Sequence, residues 1–309
     1  MLRLDRLHPL VSGNKWFKLK YNLEAAAGRP IVTFGGAYSN HIAATAAACR
    51  MQGIACTGII RGERPAAPGH TLKHAAEMGM ELVFVSREEY RQMTQEGNEE
   101  AVWRALGGRP EDTTPPSGHD SSPLQPPAAR EGRAIPPANE HRAQLPPYLI
   151  PEGGHNALGA KGCEEILSLA DIAGYTHIIC AVGTGTTLAG LINAAATQQV
   201  TGISVLKGAL SLQAATQSLL RPGIATPWEI LHQFHEGGYG KLSNRLISSM
   251  NDFYRQTNIP LDRVYTGKMT LAVQQLLQQG YFPAGCNLLL VHSGGLQGNG
   301  SLPPGVLCY

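Results

Sequence analysis

His177-Ile178-Ile179-Cys180-Ala181-Val182-Gly183-Thr184-Gly185-Thr186-Thr187-Leu188-Ala189-Gly190-Leu191 (residues 177–191) is the stretch whose reading decides the fold. It starts with a near-continuous apolar run, the pattern of a strand buried on both faces. Gly183 to Thr187 follow, and an apolar helix is expected over 188–195. Glycines let the backbone approach an anion. Consecutive N–H groups, threonine hydroxyls and the positive end of the helix dipole can then all point at it. No GK[ST] follows, so this is not a P-loop, and Leu188 stands where a GxGxxG motif needs its last glycine. No acidic residue sits in the usual place for a ribose. The loop suits an isolated phosphate better than a nucleotide, or it is a tight strand–helix turn without a ligand.

The same rhythm repeats upstream. Ile31 to Phe34 read as a buried strand ending in Gly35-Gly36, and the Ala-rich run 42–48 as a helix that Ser39 or Asn40 can cap. Strands over 54–60 and 81–85 flank a helix over 71–78, which completes a βαβ alternation and predicts a parallel sheet. Downstream, a helix is expected over 160–169, a strand over 203–206, helices over 210–220, 242–254 and 269–278, and a late strand over 288–292. The region 107–147 breaks the pattern. It holds ten of the chain's 21 prolines and no apolar periodicity, so it reads as a disordered insertion.

Bulk composition narrows the function classes. With 43% hydrophobic and 16% charged residues, the chain is globular and long enough for two α/β lobes. A net charge of +2 without a basic run gives nucleic-acid binding no support. Six cysteines without CxxC spacing read as free thiols in a reducing compartment. No apolar run has membrane-spanning length, and the first residues lack signal-peptide architecture. The expectation is a cytoplasmic protein with no membrane partner and no metal.

Three further segments carry candidate chemistry. In Val11-Ser12-Gly13-Asn14-Lys15-Trp16-Phe17-Lys18-Leu19-Lys20 a turn feeds a helix that begins near Lys15. A helix N-terminus disfavours an ammonium, and a partly neutral lysine can form a Schiff base. Taken alone, the stretch is a solvated helix start with three lysines. Ser39-Asn40-His41 lie at a strand-to-helix junction, where capping is the commoner use and carboxylate binding the alternative. Tyr265-Thr266-Gly267-Lys268 precede a helix. One cofactor would use the whole set. It has an aldehyde, a single phosphate, a ring oxygen and a pyridine nitrogen, and it is pyridoxal 5′-phosphate (PLP). Lys15 would take the aldehyde and the 183–187 loop the phosphate. Asn40 would meet the ring oxygen and a hydroxyl the nitrogen.

With these residues in view, the chain resembles the PLP-dependent D-cysteine desulfhydrase / 1-aminocyclopropane-1-carboxylate (ACC) deaminase family, of the tryptophan-synthase-β-like fold (fold type II). The segments that carry the likeness are HPLVSGNKWFKLKYNL (8–23), TFGGAYSNHIAATAAA (33–48), IIRGE (59–63), YLIPEGG (148–154), AVGTGTTLAGL (181–191), VYTGKM (264–269) and HSGGLQG (292–298). The likeness implies an α/β fold of two domains with parallel-type sheets flanked by helices. Residues 1–30 with 148–309 would form a larger PLP-binding domain and 31–106 a smaller α/β domain. It also implies a homodimer and a small amino-acid substrate.

Carried over by position, Lys15 is the Schiff-base lysine, whereas Lys18, Lys20 and Lys268 do not match that place. Ser39 lies beside the substrate, with His41 and Tyr239 expected on the same side, and Tyr265 joins Lys15 and Ser39 as catalytic. Asn40 meets the ring oxygen. Gly183, Thr184, Gly185, Thr186 and Thr187 form the phosphate loop, with Thr186 in place of a glycine common there. Thr266 sits where the pyridine nitrogen is met. A hydroxyl there, with Ser293 also hydroxylic, favours D-cysteine desulfhydrase over ACC deaminase, which typically carries a glutamate. Further alternatives are a PLP-binding protein without turnover, or a nucleotide-binding module using the 183–187 loop alone. Against the family pattern the chain starts late, carries the 107–147 excursion, and differs after Gly298.

Overall fold

β-strands with both faces apolar can be buried only if helices cover both sides of their sheet. That requirement organises the computed structural model, which describes residues 1–95, 99–107 and 146–309. The excursion expected over 107–147 lies, except for its ends, outside these residues.

Two parallel sheets form. The larger has the order β1-β9-β6-β7-β8 and the smaller β4-β3-β2-β5. The larger contains β1 (Leu2–Arg3), β6 (His177–Val182), β7 (Gln199–Ser204), β8 (Trp228–Leu231) and β9 (Leu288–His292). The smaller contains β2 (Ile31–Gly36), β3 (Cys56–Arg61), β4 (Glu81–Val85) and β5 (Tyr148–Ile150). On β6, Ile178, Cys180 and Val182 join one core while Ile179 and Ala181 join the core on the opposite face. β2 behaves alike: Ile31 packs toward one face, Val32 and Phe34 toward Tyr90 and Trp103 on the other. Each such aliphatic side chain contributes about 1.5–3 kcal/mol of burial.

The helices are α1 (Asn14–Ala26), α2 (Asn40–Gln52), α3 (His70–Glu77), α4 (Arg87–Met93), α5 (Glu99–Ala105), α6 (Ala157–Glu164), α7 (Thr186–Ala194), α8 (Leu212–Gln217), α9 (Asn244–Thr257) and α10 (Thr266–Gln278). No helix among the described residues is long and apolar enough to cross a membrane. α1 lies against α6 at backbone contact: a Cβ on Gly162 would meet the Phe17 carbonyl oxygen at 2.0 Å.

The strand orders place the site. The chain runs outward from β6 to β7 and β8, then returns to place β9 on the other side of β6. It likewise runs from β2 to β3 and β4 before β5 pairs with β2. Each reversal opens a crevice at the carboxyl ends of its two central strands, where open α/β sheets bind ligands. The crevice residues are therefore the loops after β6, β9, β2 and β5.

Three sequence expectations shift. Residues 148–150 pair with β2, so they belong to the smaller sheet and not to the larger domain. The strand expected over 203–206 is β7 at Gln199–Ser204. Pairing with β6 holds Gln199 extended, and pairing on both sides holds Val200 to Gly202, despite the polar and glycine residues among them. The helix expected over 160–169 is α6 followed by a 3-10 turn at Glu165–Leu169.

Gly13 lets the start of α1 touch the end of β9. Its φ is +69°, and a Cβ there would lie 1.9 Å from the Ser293 carbonyl oxygen, beyond β9. Gly13→Ala therefore faces both a disfavoured backbone and a collision. We expect it to lose about 2 kcal/mol or more of stability, measured by urea unfolding.

Candidate active site

The four crevice loops and the first turn of α1 enclose a cavity of about 520 Å³. Asn14 N–H donates to the Ser293 carbonyl at 3.1 Å, and Asn14 Nδ2 donates to Thr187 Oγ1 at 2.8 Å. These two bonds hold the start of α1 between the ends of β9 and β6. Lys15 therefore lines the cavity, its Nζ donating to Asn14 Oδ1 at 3.0 Å. Burial, and next the charge of Lys18, lower its pKa to about 7.

Lys18 is one turn along the same helix face. The sequence reading left it a solvated lysine, and the structure corrects that. It is 4% exposed, lines the cavity, and donates from Nζ to the Gly153 carbonyl at 3.1 Å and to Thr184 Oγ1 at 3.5 Å. Burial lowers its pKa too. The i, i+3 spacing was the available signal. Lys20, by contrast, is exposed and paired with Glu165.

The loop after β6 turns into α7 through Gly185, whose φ is +84°. A Cβ at Gly185 would meet Thr216 Oγ1 at 2.5 Å, and one at Gly183 would meet the Tyr265 ring at 3.0 Å. Gly183, Thr184, Gly185 and Thr187 line the cavity, with their backbone at the helix N-terminus. Thr186 does not. It is fully buried, and its hydroxyl lies 3.0 Å from both Thr184 Oγ1 and His155 Nδ1.

Across the cavity, Ser39 caps α2 by accepting from Ile42 N–H at 3.3 Å. Asn40 accepts at Oδ1 from Gln297 Nε2 at 3.1 Å, which leaves its Nδ2 donors toward the Gly295 turn. His41 is 2% exposed and also lines the cavity. Thr33 Oγ1 donates its one proton to the Ile150 carbonyl, so it must accept from His41 Nε2–H at 2.8 Å. The remaining ring nitrogen, Nδ1, has no partner among the described residues. Burial, then Lys15 and Lys18, hold this histidine well below its ordinary pKa, hence neutral.

Tyr265 and Tyr239 meet edge to face, centroids 6.3 Å apart, and both line the cavity. Burial, then Tyr239, push the Tyr265 phenol well above its ordinary value, so it stays protonated. Thr266 is placed otherwise than the sequence suggested. It is fully buried away from the cavity lining. Its Oγ1 accepts from Asp262 N–H at 2.7 Å and donates to Asp262 Oδ1 at 2.9 Å. Asp262 also accepts from the N–H groups of Val264, Tyr265 and Thr266, satisfying the start of α10. The hydroxyl residue that the β9 end brings to the wall is Ser293.

The sequence reading did not assign roles to Arg61, Arg87 or Glu152, which stand at the smaller-sheet side. They come from three separate segments without a shared motif. Among the described residues that line the cavity, Glu152 is the one carboxylate. No group of metal-ligating side chains occurs among the described residues.

No family model matches the chain. Curated relatives do. An Arabidopsis thaliana mitochondrial bifunctional D-cysteine desulfhydrase/1-aminocyclopropane-1-carboxylate deaminase is 26% identical, covering 93% of this chain and 70% of its own length. A Salmonella choleraesuis D-cysteine desulfhydrase is 23% identical, covering 95% and 86%. A solved ACC deaminase homologue superimposes with a TM-score of 0.72 at 22% identity, over 96% of this chain and 84% of its own. The resemblance to D-cysteine desulfhydrases and ACC deaminases is thus shown along nearly the whole chain, and the α/β fold with it.

The lysine pKa values predict a labelling pattern. Acylation of Lys15 by an amine-selective reagent, followed by peptide mass spectrometry, should reach half its maximal rate near pH 7. Lys20, whose pKa is raised by Glu165, should need far more alkaline solution. In Lys18→Met a positive charge that opposes protonation of Lys15 is gone, so the Lys15 midpoint should move upward.

Proposed function

We propose that the chain is a PLP-dependent lyase for a small amino acid, with D-cysteine as preferred substrate and pyruvate, hydrogen sulfide and ammonia as products. The observation that supports it is the convergence in one cavity of a lysine with a pKa of about 7 and a glycine–threonine loop at a helix N-terminus. A second buried lysine, Lys18, stands beside that loop.

The donor set fits PLP. Lys15 would hold the aldehyde carbon. The backbone of Gly183 to Thr187, the hydroxyls of Thr184 and Thr187, and Lys18 would hold the phosphate. Asn40 Nδ2 would donate to the ring oxygen. Ser293 takes the place assigned to Thr266, whose hydroxyl is committed to Asp262. When bound, PLP supplies a carbon that captures the substrate amine and a ring that accepts electrons from Cα.

The chain's own groups would do the rest. Displaced Lys15, neutral for much of the time near pH 7, is placed to take the Cα proton. Ser39 and the start of α2 would hold the substrate carboxylate. His41 Nδ1, an unpartnered acceptor, would receive a substrate N–H. The protonated Tyr265 phenol would hold a proton at the leaving sulfur. A hydroxyl at the ring nitrogen, where a carboxylate would make a deeper electron acceptor, suits expulsion of a good leaving group such as thiolate. Because relatives carry both names, ACC, opened to 2-oxobutanoate and ammonia, is the second substrate to test.

Purified protein supplied with PLP should show the visible absorption of a lysine-bound cofactor. Lys15→Ala should lose that band and at least ~1000-fold in turnover. Parallel assays of pyruvate and 2-oxobutanoate with D-cysteine, ACC and D-serine then rank the substrates. A wild-type chain that takes up no PLP would end this reading.

A further inference from the structure

Thr186 and His155 form a contact that the proposed chemistry leaves unused. His155 follows the turn after β5, on the smaller sheet, while Thr186 opens α7 at the end of β6. His155 Nδ1 lies 3.0 Å from Thr186 Oγ1, which lies 3.0 Å from Thr184 Oγ1. Thr184 lines the cavity and accepts from Lys18 Nζ. A chain of hydrogen bonds therefore runs from a half-buried ring, through a fully buried hydroxyl, to a hydroxyl on the wall of the phosphate loop.

Such a chain has two directions. Inward, Thr184 donates to Thr186, Thr186 donates to His155 Nδ1, and the ring proton sits on Nε2. Thr184 then offers the cavity only a lone pair. Outward, His155 Nδ1–H donates to Thr186 and Thr186 donates to Thr184. The Thr184 oxygen is then filled by Thr186 and Lys18, and its own proton points to the cavity. A phosphate monoester in its dianionic form has acceptors and no donor, so only the outward direction suits one. We propose that His155 is a positioning residue for the phosphate loop. With its proton on Nδ1 it turns Thr186 and Thr184 so that Thr184 donates to a bound phosphate group.

Burial and the charge of Lys18 lower His155 to about 4, so near neutral pH the ring carries a single proton whose position matters. Packing keeps the chain in register. A Cβ on Gly153 would lie 2.8 Å from Thr184 Cγ2, and Lys18 Nζ ties the Gly153 carbonyl to the same hydroxyl. Thr186 provides the hydroxyl in the middle. The relay joins the smaller-sheet crevice to the larger one.

This inference rests on the PLP reading, and its test separates the two. The protein is labelled with ¹⁵N-histidine, and long-range ¹H–¹⁵N spectra are recorded alone, with inorganic phosphate, and with PLP. His155 is assigned by its absence in His155→Gln. The expected result is a shift of His155 to the Nδ1–H form on adding PLP at about pH 8, where its phosphate monoester is a dianion; inorganic phosphate, which keeps a P–O–H there, shows whether the loop binds a phosphate group at all. PLP affinity by equilibrium dialysis should fall about ten-fold in Thr186→Val, which keeps the side-chain shape but cuts the relay. Thr184→Val should fall at least as far. A His155 that stays Nε2–H with PLP bound, or a Thr186→Val affinity equal to wild type, overturns the relay and leaves the PLP reading standing. A wild-type chain that binds neither ligand removes both.

Discussion

The backbone contact between Gly13 and Ser293 is the constraint on which the site depends. α1 must start within reach of the ends of β9 and β6 for Lys15 to face the cavity. A side chain at position 13 would occupy the space of the Ser293 carbonyl. The bonds from Asn14 to Ser293 and to Thr187 then fix the first helical turn against two strand ends at once. Once that turn is set, helical periodicity places Lys18 on the same face, beside Thr184. One close approach thus positions both lysines.

Two amines in one poorly hydrated space cannot both stay charged without cost. Burial is the larger cause of the lowering at each, and at Lys15 the Lys18 charge adds to it. Their hydrogen bonds assign them different work. Among the described residues Lys15 donates to its neighbour Asn14 alone, so it can be released to chemistry. Lys18 is engaged by Gly153 and Thr184, at the end where an anion would sit. His41, locked in one tautomer by Thr33 and held neutral, adds no third positive charge. Asp262 stands apart from the cavity lining and is spent on four bonds at the start of α10.

Much of this was legible in the chain because it is local. β6, the glycine–threonine loop and α7 are contiguous, so strand, turn chemistry and helix could be read together. Ser39 as the cap of α2 and the helix start at Lys15 are local in the same way. The sequence reading expected no strand where β8 lies, and this has a physical reason. Trp228 to Leu231 is a short edge strand, and its extended state is set by pairing with β7. Thr266 was misplaced because the reading stopped at its own motif. The competing acceptor, Asp262, lies four residues earlier, and only the folded turn shows that it takes the hydroxyl. Lys18 was left solvated because exposure depends on what packs across the helix, here the loop after β5.

By itself the sequence determined most of the elements, the parallel α/β class and the candidate set around Lys15, Ser39, Asn40 and Gly183 to Thr187. These follow from periodicity, turn residues and capping, which act over a few residues. Only the tertiary structure decided which hydroxyls face the cavity, that Lys18 stands beside the phosphate loop, and that His155 reaches Thr186. Those facts depend on two strand-order reversals that bring residues 31 positions apart, as His155 and Thr186, or 166 apart, as Lys18 and Thr184, into hydrogen-bonding distance. No local pattern encodes such a juxtaposition, because it is settled by how the two sheets close on one cavity.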